Sequence, residues 1–304
     1  MPDIILHHFD ASPFAEKIRL ALGLKGLAWC SVQIPMIMPK PELTALTGGY
    51  RKTPVMQIGA EIFCDTRRIA VELERRWPEP SLFPAGSAGL ALALANWSDR
   101  AFFEPGAGLS MGSNPEIPEP VLEDRKKFFN FMDFSRLSEE LPHLAGQFRA
   151  QAALVERQLA DGRDWLLGDS PGWVDILAYF PLWMARANVP GAADLLAPFS
   201  RLPAWEARVA GIGHGRPEAL TAAAAIEIAA NAEPAGEPAV DPDDPLGLAP
   251  LSPVEVAADD YGKEPVAGEL WRLDTDEICI RRVDRRAGAL LVHFPRAGYR
   301  VSPR

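Results

Sequence analysis

Three short stretches carry side chains whose types and spacing could do chemistry. Ser12-Pro13-Phe14-Ala15-Glu16-Lys17 places a hydroxyl directly ahead of a proline. Proline fits the first position of a helix, so Ser12 can cap that helix or offer its hydroxyl to a ligand. Thr53-Pro54 precedes an apolar run. If that proline were cis, the backbone N–H and C=O of Thr53 would be free to pair with an extended peptide; otherwise Pro54 simply starts a strand. Asp65-Thr66 opens a further helical pattern. It offers a carboxylate, a hydroxyl and exposed helix N–H groups, or it is a helix cap and no more.

The elements that would position these residues alternate in period. Ile4 to Leu6 is a short apolar strand. The helix after Ser12 carries Phe14, Ile18, Ala21 and Leu22 on one stripe, and Ala28 to Ile34 is a second strand. After a connection rich in proline (Pro35, Pro39, Pro41), Pro54 to Ile58 and Glu61 to Cys64 are two strands joined by Gly59-Ala60. Glycine at the first turn position suits a type II′ hairpin. A helix with Ile69 and Leu73 inward then runs to Trp77-Pro78. This order gives a sheet covered by helices, in which ligand sites gather at strand C-termini beside helix N-termini.

From Ser87 the texture becomes helical, roughly over 88–104, 119–160 with a break at Pro142, 172–188, 203–211 and 216–230, with Gly106 to Pro120 read as a loop. Residues 231–252 are acidic, rich in proline and without periodicity, which is linker composition. Beyond them, Val254 to Val256, Gly268 to Leu273, Glu277 to Val283, Leu290 to Phe294 and Tyr299 to Val301 read as strands of a small β unit. The expected domains are 1–84, 87–230 and 253–304, with 231–252 as linker.

The chain of 304 residues carries a net charge of −10, unevenly spread. Asn231 to Leu270 holds ten acidic residues and one basic; Trp271 to Arg304 holds eight arginines and four acids. The first 230 residues are only mildly acidic, so nucleic acid is not an expected partner. Three cysteines without metal-ligand spacing argue against a zinc site or a disulfide framework, and Cys30 and Cys64 fall in strands as inert thiols. The absence of an apolar run of about 18 residues or a signal-type start gives a cytoplasmic expectation with no membrane partner.

The stretch HFDASPFAEKIRLALGLKGL resembles the first strand, catalytic turn and first helix of the glutathione S-transferase family. Thr53-Pro54-Val55 is similar to that family's cis-proline turn, and Cys64-Asp65-Thr66-Arg67-Arg68-Ile69 to its acidic helix start. Gly168 to Ile176 resembles the capping motif of its helical domain. The resemblance covers residues 1 to about 225 and implies a thioredoxin-like N-terminal domain, an all-helical C-terminal domain and a homodimer. It further implies a transferase with glutathione as co-substrate and no permanently bound cofactor or metal.

On that resemblance Ser12 stabilises the glutathione thiolate, while Thr53, Pro54, Asp65 and Thr66 hold the peptide. Lys40 and Lys52 are candidates for the glycyl carboxylate. Phe102, Phe103, Met111 and Phe131 are candidates to line an electrophile pocket. SPFAEK is similar to the omega-type CPFAER pattern with Ser in place of Cys, which argues against thiol–disulfide exchange. Other members carry their serine one place earlier, where this chain has Ala11. His7, His8 and Asp10 are the nearby alternatives for thiol activation. The β extension lies outside the resemblance and favours a second reading, a non-catalytic binding or scaffold protein of the same fold.

Overall fold

The computed structural model describes residues 3–304, which divide into two units. One comprises the residues up to 18, 28–73 and 216–304; the other comprises 19–27 and 74–215.

The first unit is built on a sheet of eleven strands. β1 (Ile5–His8) runs parallel to β2 (Ala28–Gln33) and antiparallel to β3 (Val55–Ile58), which returns as β4 (Glu61–Cys64). The β3–β4 turn has Gly59 at φ +60°, as the sequence leads one to expect. Among the helices that belong wholly or partly here are α1 (Pro13–Leu24), α2 (Pro41–Thr47) and α3 (Thr66–Arg76). α2 falls in the stretch expected to be a proline-rich connection. Pro41 at its first turn and Gly48 in the left-handed conformation after its last are the local signals that frame it.

The second unit contains α4 (Ala88–Asn96), a π-helical segment (Trp97–Phe102), α5 (Phe103–Gly112), α6 (Glu119–Phe128), α7 (Leu137–Gln158), α8 (Trp173–Asn188), α9 (Ala192–Leu196) and α10 (Leu202–Ala210). Two sequence expectations change here. Pro142 lies inside α7, and the break falls at 129–136 instead. Of the expected loop from Gly106 to Pro120, the part up to Gly112 belongs to the helix α5, and 113–118 is the connection. The glycines of α5 admit α7: a Cβ on Gly108 would lie 2.8 Å from Leu144, and one on Gly112 2.9 Å from Leu137 and Leu141.

The segment expected as one helix over 216–230 is two elements. Arg216–Ala219 is an exposed edge strand, β5, parallel to β2, and edge position is what lets Pro217 lie in a strand. α11 (Ala222–Ala230) follows, with the Thr221 hydroxyl capping it by accepting from the Ala224 N–H.

The C-terminal β extension is present, and it continues the sheet. Its strands are β6 (Ala239–Val240), β7 (Pro253–Ala258), β8 (Val266–Leu273), β9 (Glu277–Asp284), β10 (Gly288–Pro295) and β11 (Tyr299–Pro303). The order across the sheet is β11-β7-β8-β9-β10-β4-β3-β1-β2-β5, with β6 beside β8. β10 pairs parallel to β4, Val292 beside Ile62 and His293 beside Phe63. Alternation along both strands sends Ile62, Cys64, Leu290, Val292 and Phe294 into one apolar core. That core also holds Ile5, Val32, Leu46, Ala225 and Ile280. Each large side chain so buried contributes about 1.5–3 kcal/mol, so several across one seam fix the extension firmly. The acidic segment 231–252 is itself pinned: Asp241 N–H donates to Leu273 O, and Leu251 N–H to Leu270 O.

The other face of the seam is polar. His293 stacks on Phe63 at 4.6 Å between centroids, and its Nε2 lies 2.7 Å from Glu61 Oε2. Glu277 lies 2.8 Å from Arg68 Nε on α3 and 3.4 Å from His293 Nδ1. Burial disfavours a charged Glu277, but His293, Arg68 and Arg272 outweigh it and bring the carboxyl down to about 2. Burial likewise opposes a charged His293, and Cys279, Glu277 and Glu61 together push it well above the usual imidazole value.

Candidate functional site

Ser12 occupies the turn between β1 and α1. Its N–H donates to Phe9 O, and its Oγ accepts from the Ala15 N–H at 3.2 Å, so it caps α1 with Pro13 at the first helical position. Ser12 is buried. Capping uses an oxygen lone pair and leaves the hydroxyl proton to be donated elsewhere. Phe9 joins this turn to the next: its ring centroid lies 5.8 Å from Lys40 Nζ. Lys40 in turn donates to Thr53 Oγ1 at 3.1 Å and to Arg51 O at 3.4 Å. The Thr53–Pro54 peptide is cis. Phe9 thus links the Ser12 turn at the end of β1 to Lys40, which holds Thr53 just ahead of β3.

Asp65 sits at φ +73°, a left-handed conformation uncommon outside glycine but tolerated by Asp. The side chain stabilises that turn locally. Oδ1 accepts from Arg67 N–H at 2.9 Å and Arg67 Nε at 3.2 Å, and Oδ2 accepts from Arg67 Nη2 at 3.1 Å. A fourth donor comes from 234 residues away, the Tyr299 hydroxyl at 3.1 Å from Oδ2. Burial alone would raise the Asp65 carboxyl, but Arg67 and Lys52 hold it far below the usual carboxylate range. Thr66 is buried at the first position of α3.

Lys52 does not face open solvent. Its Nζ lies 2.5 Å from Asp260 Oδ1 and 4.4 Å from the centroid of the Tyr261 ring. Arg51 pairs with Glu264 at 2.8 Å. Tyr299, Asp260, Tyr261 and Glu264 all belong to the extension, and nothing in the first 225 residues points to them. For Asp260, Tyr261 and Glu264 the one sequence signal is the acidic composition of 255–264, which without the fold has no address; Tyr299 falls in a stretch legible only as a strand.

The remaining candidates have structural partners. His7 Nε2 is 2.8 Å from Gln57 Oε1, and burial lowers its pKa to about 4, so it is neutral. His8 pairs with Ser31 Oγ, and Asp10 accepts from Gln33. Phe102 packs against Trp97 and Phe148, and Phe103 against Phe129, Phe131 and Phe180. Both are fully inside the helical unit, whereas Met111 and Phe131 keep some exposed surface.

The sequence model of the glutathione S-transferase N-terminal domain matches residues 6–81, and that of the C-terminal domain matches 122–208. A solved structure, a GST-like protein from Pseudomonas syringae, is 41% identical over the whole of both chains, with a TM-score of 0.81. The chain belongs to the glutathione S-transferase family. Because the Pseudomonas likeness spans the full length, it extends over the β extension as well. Two further relatives are more distant. FtsZ-localized protein A of Caulobacter vibrioides is 28% identical over 183 residues, 57% of this chain and 73% of that protein. Glutathione S-transferase U4 of Arabidopsis thaliana is 24% identical over 209 residues, 67% and 82% of the two chains.

Within this family frame the capping motif of the helical unit has a clear physical basis. Asp175 accepts from the N–H groups of Leu166 and Gly172 and from the Trp205 indole. Gly172 stands where the family pattern has Ser or Thr. A Cβ there would lie 2.8 Å from Pro84 Cδ and 3.2 Å from Leu82 O, so close packing excludes the larger residue.

Proposed function

We propose that the protein is a glutathione-dependent transferase, in which the thiol of bound glutathione loses its proton to solvent and the thiolate attacks a small electrophile, forming a carbon–sulfur bond as the electrophile's leaving group departs to solvent with its bonding electron pair. The reading rests on Ser12: a buried hydroxyl at a helix N-terminus whose lone pair is used by the cap and whose proton is available to a sulfur anion. A free thiol titrates near ~8.5, and lowering that by two units needs roughly 2.7 kcal/mol. A hydrogen bond to a charged group supplies about 1.5–3 kcal/mol and a helix N-terminus about 0.3–1 kcal/mol. The two together are sufficient. Thr53 beside cis-Pro54 and Thr66 at the start of α3 would hold the peptide, and Lys40 would take the glycyl carboxylate. Titrating the ultraviolet thiolate signal of bound glutathione, in wild type and Ser12→Ala, tests this assignment.

A second reading has its own support: a binding or scaffold protein of the same fold. Asp65 and Lys52 are both engaged by extension residues, and one relative is named for localisation with FtsZ. Wild type that binds no glutathione would favour it. In either case we assign a cytoplasmic protein, consistent with no described helix being long and apolar enough to cross a membrane. We also propose a homodimer, whose interface excludes the outer edge of β4, which β10 already covers.

A further inference from the structure

A carboxylate offers about four acceptor positions on its two oxygens. On Asp65 all four have donors: Arg67 N–H and Nε on Oδ1, Arg67 Nη2 and the Tyr299 hydroxyl on Oδ2. The Tyr299 contact is held in place. Its oxygen lies 3.0 Å from the Tyr50 hydroxyl, its ring packs 5.5 Å from that of Phe294, and the residue is 4% exposed. The preceding Gly298 lies against the Arg67 guanidinium so closely that a Cβ there would be 3.0 Å from Nη2. The extension therefore brings backbone and phenol together onto the Asp65–Arg67 pair. Lys52 is neutralised from the same side by Asp260.

A free ammonium that approaches Asp65 would have to displace one of these donors, and the charge it would meet is already balanced by Arg67. We infer that Tyr299 is a specificity-determining residue of the proposed glutathione site, completing the acceptor shell of Asp65 so that a γ-glutamyl ligand is held without reliance on its α-ammonium. The inference deepens the glutathione reading and rests on it. The ligand class it defines is a γ-glutamyl-type or glutaryl-type thiol peptide, held through its carboxylates and central peptide bond.

The test is calorimetric titration of the intact protein with glutathione and with glutaryl-cysteinylglycine, which differs by hydrogen in place of the ammonium. Wild type is expected to bind the two within about threefold of one another. Tyr299→Phe opens one position on Asp65, and glutathione is then expected to gain about tenfold over the analogue, the scale of a hydrogen bond to a charged group. Tyr50→Phe, which leaves the Tyr299–Asp65 bond in place, is expected to keep the wild-type ratio. A wild-type preference for glutathione of tenfold or more overturns the inference without any variant, as does an unchanged ratio in Tyr299→Phe. Binding of neither ligand to wild type overturns the glutathione reading itself, and the inference with it.

Discussion

Replacing Ser12 separates two roles that share one oxygen. Ser12→Ala removes the cap accepted from Ala15 N–H at 3.2 Å, a loss of about 1 kcal/mol. For a chain of this size that lowers the unfolding midpoint by about 2–4 °C. The same change removes the donor to a bound thiolate, about 1.5–3 kcal/mol, which is roughly one to two pKa units. A bound thiol titrating near ~6.5 would move to ~8, and the thiolate fraction at pH 7 would fall from about three quarters to about one tenth. Ser12→Gly is the control, because glycine at a cap costs only a few tenths of a kcal/mol while the hydroxyl is equally absent. The assay is the ultraviolet thiolate signal against pH at saturating glutathione, beside a thermal melt of each protein. Both variants are expected to show the raised thiol pKa, and Ser12→Ala the larger drop in melting temperature. If the pKa of the bound thiol stays within about 0.3 unit of wild type in both, Ser12 is a helix cap and nothing more.

Further expectations concern the scaffold. His7 has a pKa of about 4 against 6.5 unfolded, so its contribution is present above pH 6.5 and is lost as pH falls toward 4. Wild type should lose about 2 kcal/mol more than His7→Gln between pH 7 and pH 5, measured by denaturant unfolding. His293 runs the other way: raised in the fold, it contributes fully below pH 6.5 and loses its effect as pH rises through its folded value. Amide exchange in β10 should therefore speed up on the alkaline side beyond the intrinsic pH effect, and less so in His293→Gln. Gly172→Ala forces a Cβ to 2.8 Å from Pro84 and should cost about 1–3 kcal/mol in thermal or denaturant unfolding.

What the sequence reveals follows from how local each signal is. Ser12-Pro13, Gly59-Ala60 and Asp65-Thr66 mark their turns and helix starts because caps, tight turns and proline act within a few residues. Arg216–Ala219 reads as helix until β2 is beside it, since its strand identity comes wholly from pairing. Gly106 to Gly112 reads as loop because the benefit of its glycines, the close approach of α7, is tertiary. The β strands of the extension are legible by alternation, but their seat on β4 is not. The parallel register of Val292 on Ile62 joins segments 230 residues apart. For the same reason Asp65 and Lys52 are legible as candidate binding groups, whereas the partners that occupy them, Tyr299 and Asp260, are not.

The central claim is that this fold binds glutathione and holds it as the thiolate. Isothermal titration of the intact protein with glutathione, with the ultraviolet spectrum followed at pH 7, tests that claim most directly. Saturable binding at one molecule per chain, with a thiolate band that free glutathione lacks at that pH, is the predicted result. The absence of saturable heat at millimolar glutathione, or binding with the thiol still protonated, would contradict it.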